Sequence, residues 1–174
     1  MTEIIVVRGS LVEQDVDYIV NAANTTMRGG GGIDGLIHKL AGPKLLLELY
    51  RLAPKGCATG EVVVTGAHDL KHKGIIHTPG PIWRGGNENE PQLLASSYRN
   101  CLIAADKWRA ESIGFCSIST GAYRYPLQDA ATIAFSTTRV WLSENPDTSL
   151  KRIVFAMHGD REYQAFNTAI EKQP

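Results

Sequence analysis

The sequence predicts a three-layer α/β/α domain. Short β-branched apolar runs recur along the chain, segments of helical periodicity alternate with them, and glycine- or proline-rich punctuation separates the two. The 174 residues suit one domain, expected to span 1–174, with room for a substantial core. Internal repeats, long linkers and low-complexity stretches are absent from the sequence.

Residues 4–8 and 17–20 read as the first two strands. Residues 36–52 carry helical periodicity interrupted at Gly42-Pro43, which predicts two short helices rather than one. Residues 61–65 and 74–78 are the next two strands, the second closed by Pro79-Gly80-Pro81 and followed by a loop through Gly85-Gly86-Asn87. A long helix is expected over 90–110, with Leu94, Tyr98, Leu102, Ala105 and Trp108 on its apolar side. Residues 112–117 form a strand of buried type, 126–142 a helix with Pro126 suited to its first turn, 151–157 the last strand and 160–172 the last helix.

Eighteen basic residues balance eighteen acidic ones, and no long Lys/Arg cluster occurs. Binding to a nucleic-acid backbone through bulk charge is therefore not expected. Cys57, Cys101 and Cys116 are far apart and show no metal-ligand spacing, so no metal and no cofactor are expected, and the thiols read as reduced. No basic n-region with a cleavable apolar segment opens the chain, and no apolar run approaches a membrane span, so a cytoplasmic protein without membrane contact is expected. A monomer is the expectation for a single domain of this kind.

The most informative segment is the turn between the second strand and the first helix. Five of the seven residues over 29–35 are glycine, and the one carboxylate among them is Asp34. Glycines let a backbone approach a ligand with no Cβ in the way, and a helix N-terminus after such a turn offers N–H groups to an anion. Asn21 and Asn24 stand just before it. Ligands of parallel α/β sheets bind beyond the carboxyl ends of the strands, so this turn and the segment 119–125 should face each other across a crevice. A phosphate-containing ligand with a reacting group beside it fits that arrangement. The spacing GxGxxG and a following ribose-binding acid are missing, which argues against a dinucleotide oxidoreductase.

Val20-Asn21-Ala22-Ala23-Asn24, the run Gly29-Gly30-Gly31-Gly32 with Ile33-Asp34-Gly35 and Ile37-His38, His77-Thr78 with Gly80-Pro81, and Ile118-Ser119-Thr120-Gly121 occur in an order that resembles the macrodomain, of the MacroD type. The resemblance covers essentially the whole chain. It implies the macrodomain fold, three layers α/β/α with a central mixed sheet, and a hydrolase that cleaves the ester at the distal ribose of O-acetyl-ADP-ribose and of proteins mono-ADP-ribosylated on Asp or Glu. By the same match, Asn24 and Asp34 hold the distal ribose and the attacking water, Asn21 supports the loop and touches ligand, and Gly30, Gly31, Gly32 and Ile33 lie along the ribose. Ser119, Thr120, Gly121, Ala122 and Tyr123 wrap the diphosphate. Ser10, Leu11, Ala23 and His158 complete the ligand contacts. ADP-ribose, its esters and mono-ADP-ribosylated proteins are the implied partners.

The residues themselves leave alternatives open. Asp34 at a helix start can position water or simply favour the helix dipole. Asn21 and Asn24 suit ribose hydroxyls, and equally cap turns after a strand. His38 lies one helical turn beyond Asp34, as a dyad partner or as a support under the loop; neither it nor His77 is assigned to catalysis. Tyr123 is the ring expected at the sugar and Tyr125 the one expected in the core. Three positions depart from the family pattern. Ser10 stands where an acid usually accepts from the adenine amino group, with Glu13 or Asp15 as nearby substitutes. His158 stands where an aromatic usually stacks, and Arg124 where glycine is common. The rival readings are a module that binds ADP-ribose without turnover and a regulator acting by protein contact.

Overall fold

The computed structural model describes residues 1–173. Along them run β1 (Glu3–Arg8), a 3-10 turn (Leu11–Glu13), β2 (Tyr18–Ala23), α1 (Gly32–Ala41), α2 (Pro43–Leu52), β3 (Val63–Thr65), β4 (Gly74–Pro79), α3 (Glu90–Lys107), β5 (Ser112–Phe115), α4 (Leu127–Glu144), β6 (Arg152–Met157) and α5 (Asp160–Lys172). The strands form one sheet in the order β1-β6-β5-β2-β4-β3. All neighbours are parallel except β3, which runs antiparallel to β4 at the edge, so the sheet is mixed.

Helices cover both faces. Every residue of β4 is buried, as are five of the six in β6, which explains why these strands read as continuous apolar runs without polar alternation. Helix α3 packs on α4 and α4 on α5, while α1 packs on α2. The aromatic centre of the core joins helix to sheet: Phe115 of β5 stacks on Phe155 of β6 with centroids 5.2 Å apart, and Tyr98 of α3 meets Phe115 at 5.2 Å. Each such ring removed from water contributes about 1.5–3 kcal/mol. Among the described residues, no helix is long and apolar enough to cross a membrane.

Several boundaries differ from the sequence reading: α1 starts earlier, at Gly32, β3 later, at Val63, and α4 runs on to Glu144, and four further differences have a local reason. Strand β2 runs past Val20 to Ala23 because β4 pairs with it throughout, Asn21 opposite His77 and Ala23 opposite Pro79. Helix α3 stops at Lys107, and Trp108 caps it in the open at 57% exposure instead of joining the apolar side. Strand β5 ends at Phe115, two residues early, and Pro126 precedes α4 rather than lying in its first turn. The break between α1 and α2 falls at Gly42, with φ 90°, where the sequence placed it. The five parallel strands end on the same edge of the sheet, and the segments after β1, β2, β5 and β6 meet there.

Candidate functional site

A cavity of about 680 Å³ opens at that edge. Ser10 and Leu11 reach it from the end of β1, and Ala23, Asn24, Gly30, Gly31, Gly32, Ile33 and Asp34 from the end of β2. Ser119, Thr120, Gly121, Ala122 and Tyr123 reach it from the segment after β5, and His158 from the end of β6. Asn21 is the exception. The extension of β2 carries it below the cavity, where it is fully buried and makes no part of the wall, so the expected ligand contact at Asn21 is corrected to a supporting position.

The glycine turn is held in shape by its neighbours. Gly32 takes φ 57° at the start of α1, and a Cβ on Gly35 would lie 2.6 Å from the Gly30 carbonyl, so the helix closes against the turn only with glycine there. Asn24 Nδ2 donates to the Gly29 carbonyl at 2.9 Å, while its Oδ1 accepts from Thr26 Oγ1 at 2.6 Å and from the Met27 N–H at 3.1 Å. The turn-capping role thus consumes most of this amide and leaves one hydrogen for a ligand. Arg28 ties the turn to the end of α2, donating to the Ala53 carbonyl at 2.9 Å with its guanidinium 4.0 Å from the Tyr50 ring centre.

Asp34, 4% exposed, presents its two oxygens differently. Oδ1 accepts from Asn21 Nδ2 at 2.8 Å and lies 3.4 Å from His38 Nε2. Oδ2 has no hydrogen-bond partner among the described residues and sits at the turn, 3.3 Å from the point a Cβ on Gly30 would occupy, as does Asn24 Nδ2. Asn21 Nδ2 also contacts His77 Nδ1 at 3.0 Å, and His77 Nε2 contacts Thr65 Oγ1 at 2.9 Å. Burial pushes the His77 imidazole down to about 3, against the raising effect of Asp34, so the ring is neutral. Asn21 Oδ1 is left buried without a partner, a cost of about 1–3 kcal/mol that both donated bonds must offset. His38 packs its ring under Gly29, which is the supporting role.

The facing wall is made of donors. The N–H groups of Thr120, Gly121, Ala122 and Tyr123 make no hydrogen bond within the described residues, and those of Gly30 and Gly31 make none either. Ser119 and Arg124, at either end of this segment, adopt positive φ of 68° and 60°. The Ser119 hydroxyl is buried and unpartnered. Gly121 has nothing within 4 Å of where a Cβ would stand. Tyr125 is 3% exposed and packs on Trp83 at 4.8 Å, as the core ring of the pair, while Tyr123 lines the cavity and Arg124 points to solvent. Among the described residues no Lys or Arg lines the cavity, so an anion there is met by backbone dipoles rather than by cations.

The Macro domain family model matches residues 20–134. The chain belongs to the macro domain family. It is 46% identical over 168 residues to a macro domain-containing protein of Caldanaerobacter subterraneus, covering 95% of this chain and 94% of that one. To the O-acetyl-ADP-ribose deacetylase of Cronobacter turicensis it is 46% identical over 160 residues, 91% of this chain and 90% of that one. The solved structure of a mutant Oceanobacillus iheyensis macrodomain with ADPR superimposes with a TM-score of 0.91 at 35% identity, covering 98% of this chain and 93% of that one.

At the other end of this macro domain's cavity, Ser10, His158 and Glu162 line the wall, and none of their side chains makes a hydrogen bond among the described residues. Glu13 and Asp15, the carboxylates expected to stand in near Ser10, do not reach the cavity. Glu162 does, from the first turn of α5, and sequence reasoning missed it. Its signal was available: it lies one helical turn after His158, on the helix that β6 feeds. Cys116 also lines the macro domain cavity, but burial pushes its thiol up to about 12, so it holds its proton and is no nucleophile at neutral pH.

Proposed function

We propose that this macro domain binds ADP-ribose and hydrolyses an ester at its distal ribose, taking O-acetyl-ADP-ribose and proteins mono-ADP-ribosylated on Asp or Glu. One observation carries the reading: a carboxylate with one oxygen tied down and the other free at a glycine turn, facing uncommitted backbone N–H groups across a cavity without cations. The N–H groups of residues 120–123 take the diphosphate, and Asp34 Oδ2 orients a water at the ribose. Aspartate has too low an ordinary pKa to be a strong base alone at neutral pH, so the nearby substrate diphosphate shares the proton taken from that water. The water supplies OH to one fragment and H to the other as the ester C–O bond breaks. The name of the Cronobacter relative and the ADPR of the Oceanobacillus structure support this reading.

The second reading, a module that binds ADP-ribose without turnover, draws on Asn24, whose amide is largely spent on the turn. One experiment separates them. Release of free ADP-ribose from a protein modified on glutamate, and of acetate from O-acetyl-ADP-ribose, is followed with wild type and Asp34→Ala. The hydrolase reading expects release by wild type that falls about 10²–10⁴-fold in the variant, with ADP-ribose affinity largely kept. Binding by both proteins with release by neither establishes the reader.

A further inference from the structure

The buried chain of hydrogen bonds beneath Asp34 has one consistent direction, and it starts on the far edge of the sheet. Asn21 Nδ2 touches both Asp34 Oδ1 and His77 Nδ1. Turning the amide over would set Asn21 Oδ1 against a carboxylate oxygen, so the NH₂ group faces both neighbours and each takes one of its hydrogens. His77 Nδ1 is then a bare acceptor, and the neutral ring carries its proton on Nε2. That proton goes to Thr65 Oγ1 at 2.9 Å, whose own hydrogen goes to the Gly66 carbonyl at 3.0 Å. Every member is satisfied except Asn21 Oδ1, and that orphan is what remains when both amide hydrogens are demanded on the other side.

We propose that His77 and Thr65 are positioning residues: Thr65 sets the tautomer of His77, His77 sets the face of the Asn21 amide, and Asn21 pins Asp34 Oδ1 so that Oδ2 meets the water. The inference rests on the role given to Asp34 above. Its physical content is a switch of sign. With the proton on Nδ1, the ring would call for Asn21 Oδ1, and the same atom would face Asp34 and push the carboxylate out of place. None of these three side chains lines the cavity, so they act on the reaction and not on the affinity. Hydrogen bonds in series also polarise one another, which strengthens the last of them, onto Asp34.

Thr65→Val keeps the shape of a residue that is 4% exposed and removes its hydroxyl, both the acceptor for His77 Nε2 and the donor to the Gly66 carbonyl. Ester release by this variant is expected to fall about tenfold in kcat with KM and ADP-ribose affinity unchanged. Ring ¹⁵N NMR of the wild type reads the tautomer directly, with Nδ1 bare and Nε2 protonated, and in Thr65→Val the proton moves in part to Nδ1. His77→Leu removes the acceptor for Asn21; His77→Asn, which can place an amide oxygen where Nδ1 stood, recovers part of the lost kcat. A wild-type ring protonated on Nδ1, or a well-folded Thr65→Val with wild-type kcat, overturns the proposal. The two failures are distinct: release that survives Asp34→Ala sinks the role of Asp34, whereas release that needs Asp34 but ignores Thr65 sinks this inference alone.

Discussion

The two ends of the cavity are built on opposite plans. Around Asp34, Asn21, Asn24, His77 and Thr65 each make a side-chain hydrogen bond shorter than about 3.1 Å, and the glycine turn is fastened at Asn24 and Arg28. Among the described residues, the side chains of Ser10, His158 and Glu162 make no hydrogen bond. A site that must place one oxygen against one bond spends its polar groups on holding that oxygen still. A site that only has to accommodate a flat ring can leave its polar groups loose. Under the proposed function the wired end does chemistry and the loose end recognises the base, and substitutions should respond accordingly.

The largest effect is expected at the wired end, where Asp34→Ala removes the one free carboxylate oxygen and release collapses while binding persists. Between the ends, Gly121→Val tests whether the diphosphate binds as a bridge common to both. A Cβ there meets nothing in the protein, so the fold should tolerate valine. The branched side chain would instead fill ligand space, and calorimetry should show ADP-ribose affinity reduced at least about tenfold, the value of one hydrogen bond to a charged group. Wild-type affinity with an unchanged melting temperature would remove the segment after β5 from the diphosphate site.

The bridge has its own support, and it titrates. Trp83 donates its N–H to the Tyr123 carbonyl at 2.9 Å, and the loop that follows Trp83 is gathered on Glu90, which accepts from the N–H groups of Arg84, Gly86 and Glu88. Burial alone would push this carboxyl up, but the backbone donors outweigh it and bring it from 4.5 down to about 2. A depressed carboxylate contributes stability that is complete above its unfolded value and is lost as pH falls through its folded one. Glu90→Gln should therefore melt below wild type at pH 7, with the gap closing between about 4.5 and 2. A gap of constant size over that range would mean that the loop is held by shape and not by the charge.

Much of this was legible in the residues, and what was not has a physical cause. The strands of the sheet and the break at Gly42-Pro43 follow from apolar runs and punctuation, because those signals are local. The ordered motifs placed the cavity wall, since glycines and small residues at strand ends are demanded by close backbone approach. Asn21 and Asn24 were the hard pair. They are the same residue type three positions apart, and only the pairing of β2 with β4 through Ala23 decides that one goes beneath the floor and the other into the turn. The chain from Asn21 to Thr65 was out of reach for the same reason: it crosses three strands, and no spacing along the sequence records a register. Glu162 escaped because a carboxylate in the first turn of a helix has an ordinary explanation in the helix dipole.

The smallest expected effect turns the loose end into a wired one. Ser10→Asp places a carboxylate at a wall position whose present hydroxyl makes no hydrogen bond among the described residues. If the exocyclic amine of adenine lies against Ser10, the new partner is charged where the old one was neutral, a difference worth up to about tenfold in affinity. The effect should belong to ADP-ribose and be missing for inosine diphosphate ribose, which has no amine to donate. It should leave kcat for ester release unchanged, because nothing in the hydrogen-bonded set around Asp34 extends to the end of β1. Equal tightening of both ligands would place the gain elsewhere than the amine. A change in kcat would show that the two ends are coupled, and that the loose end owes its looseness to something other than distance from the reaction.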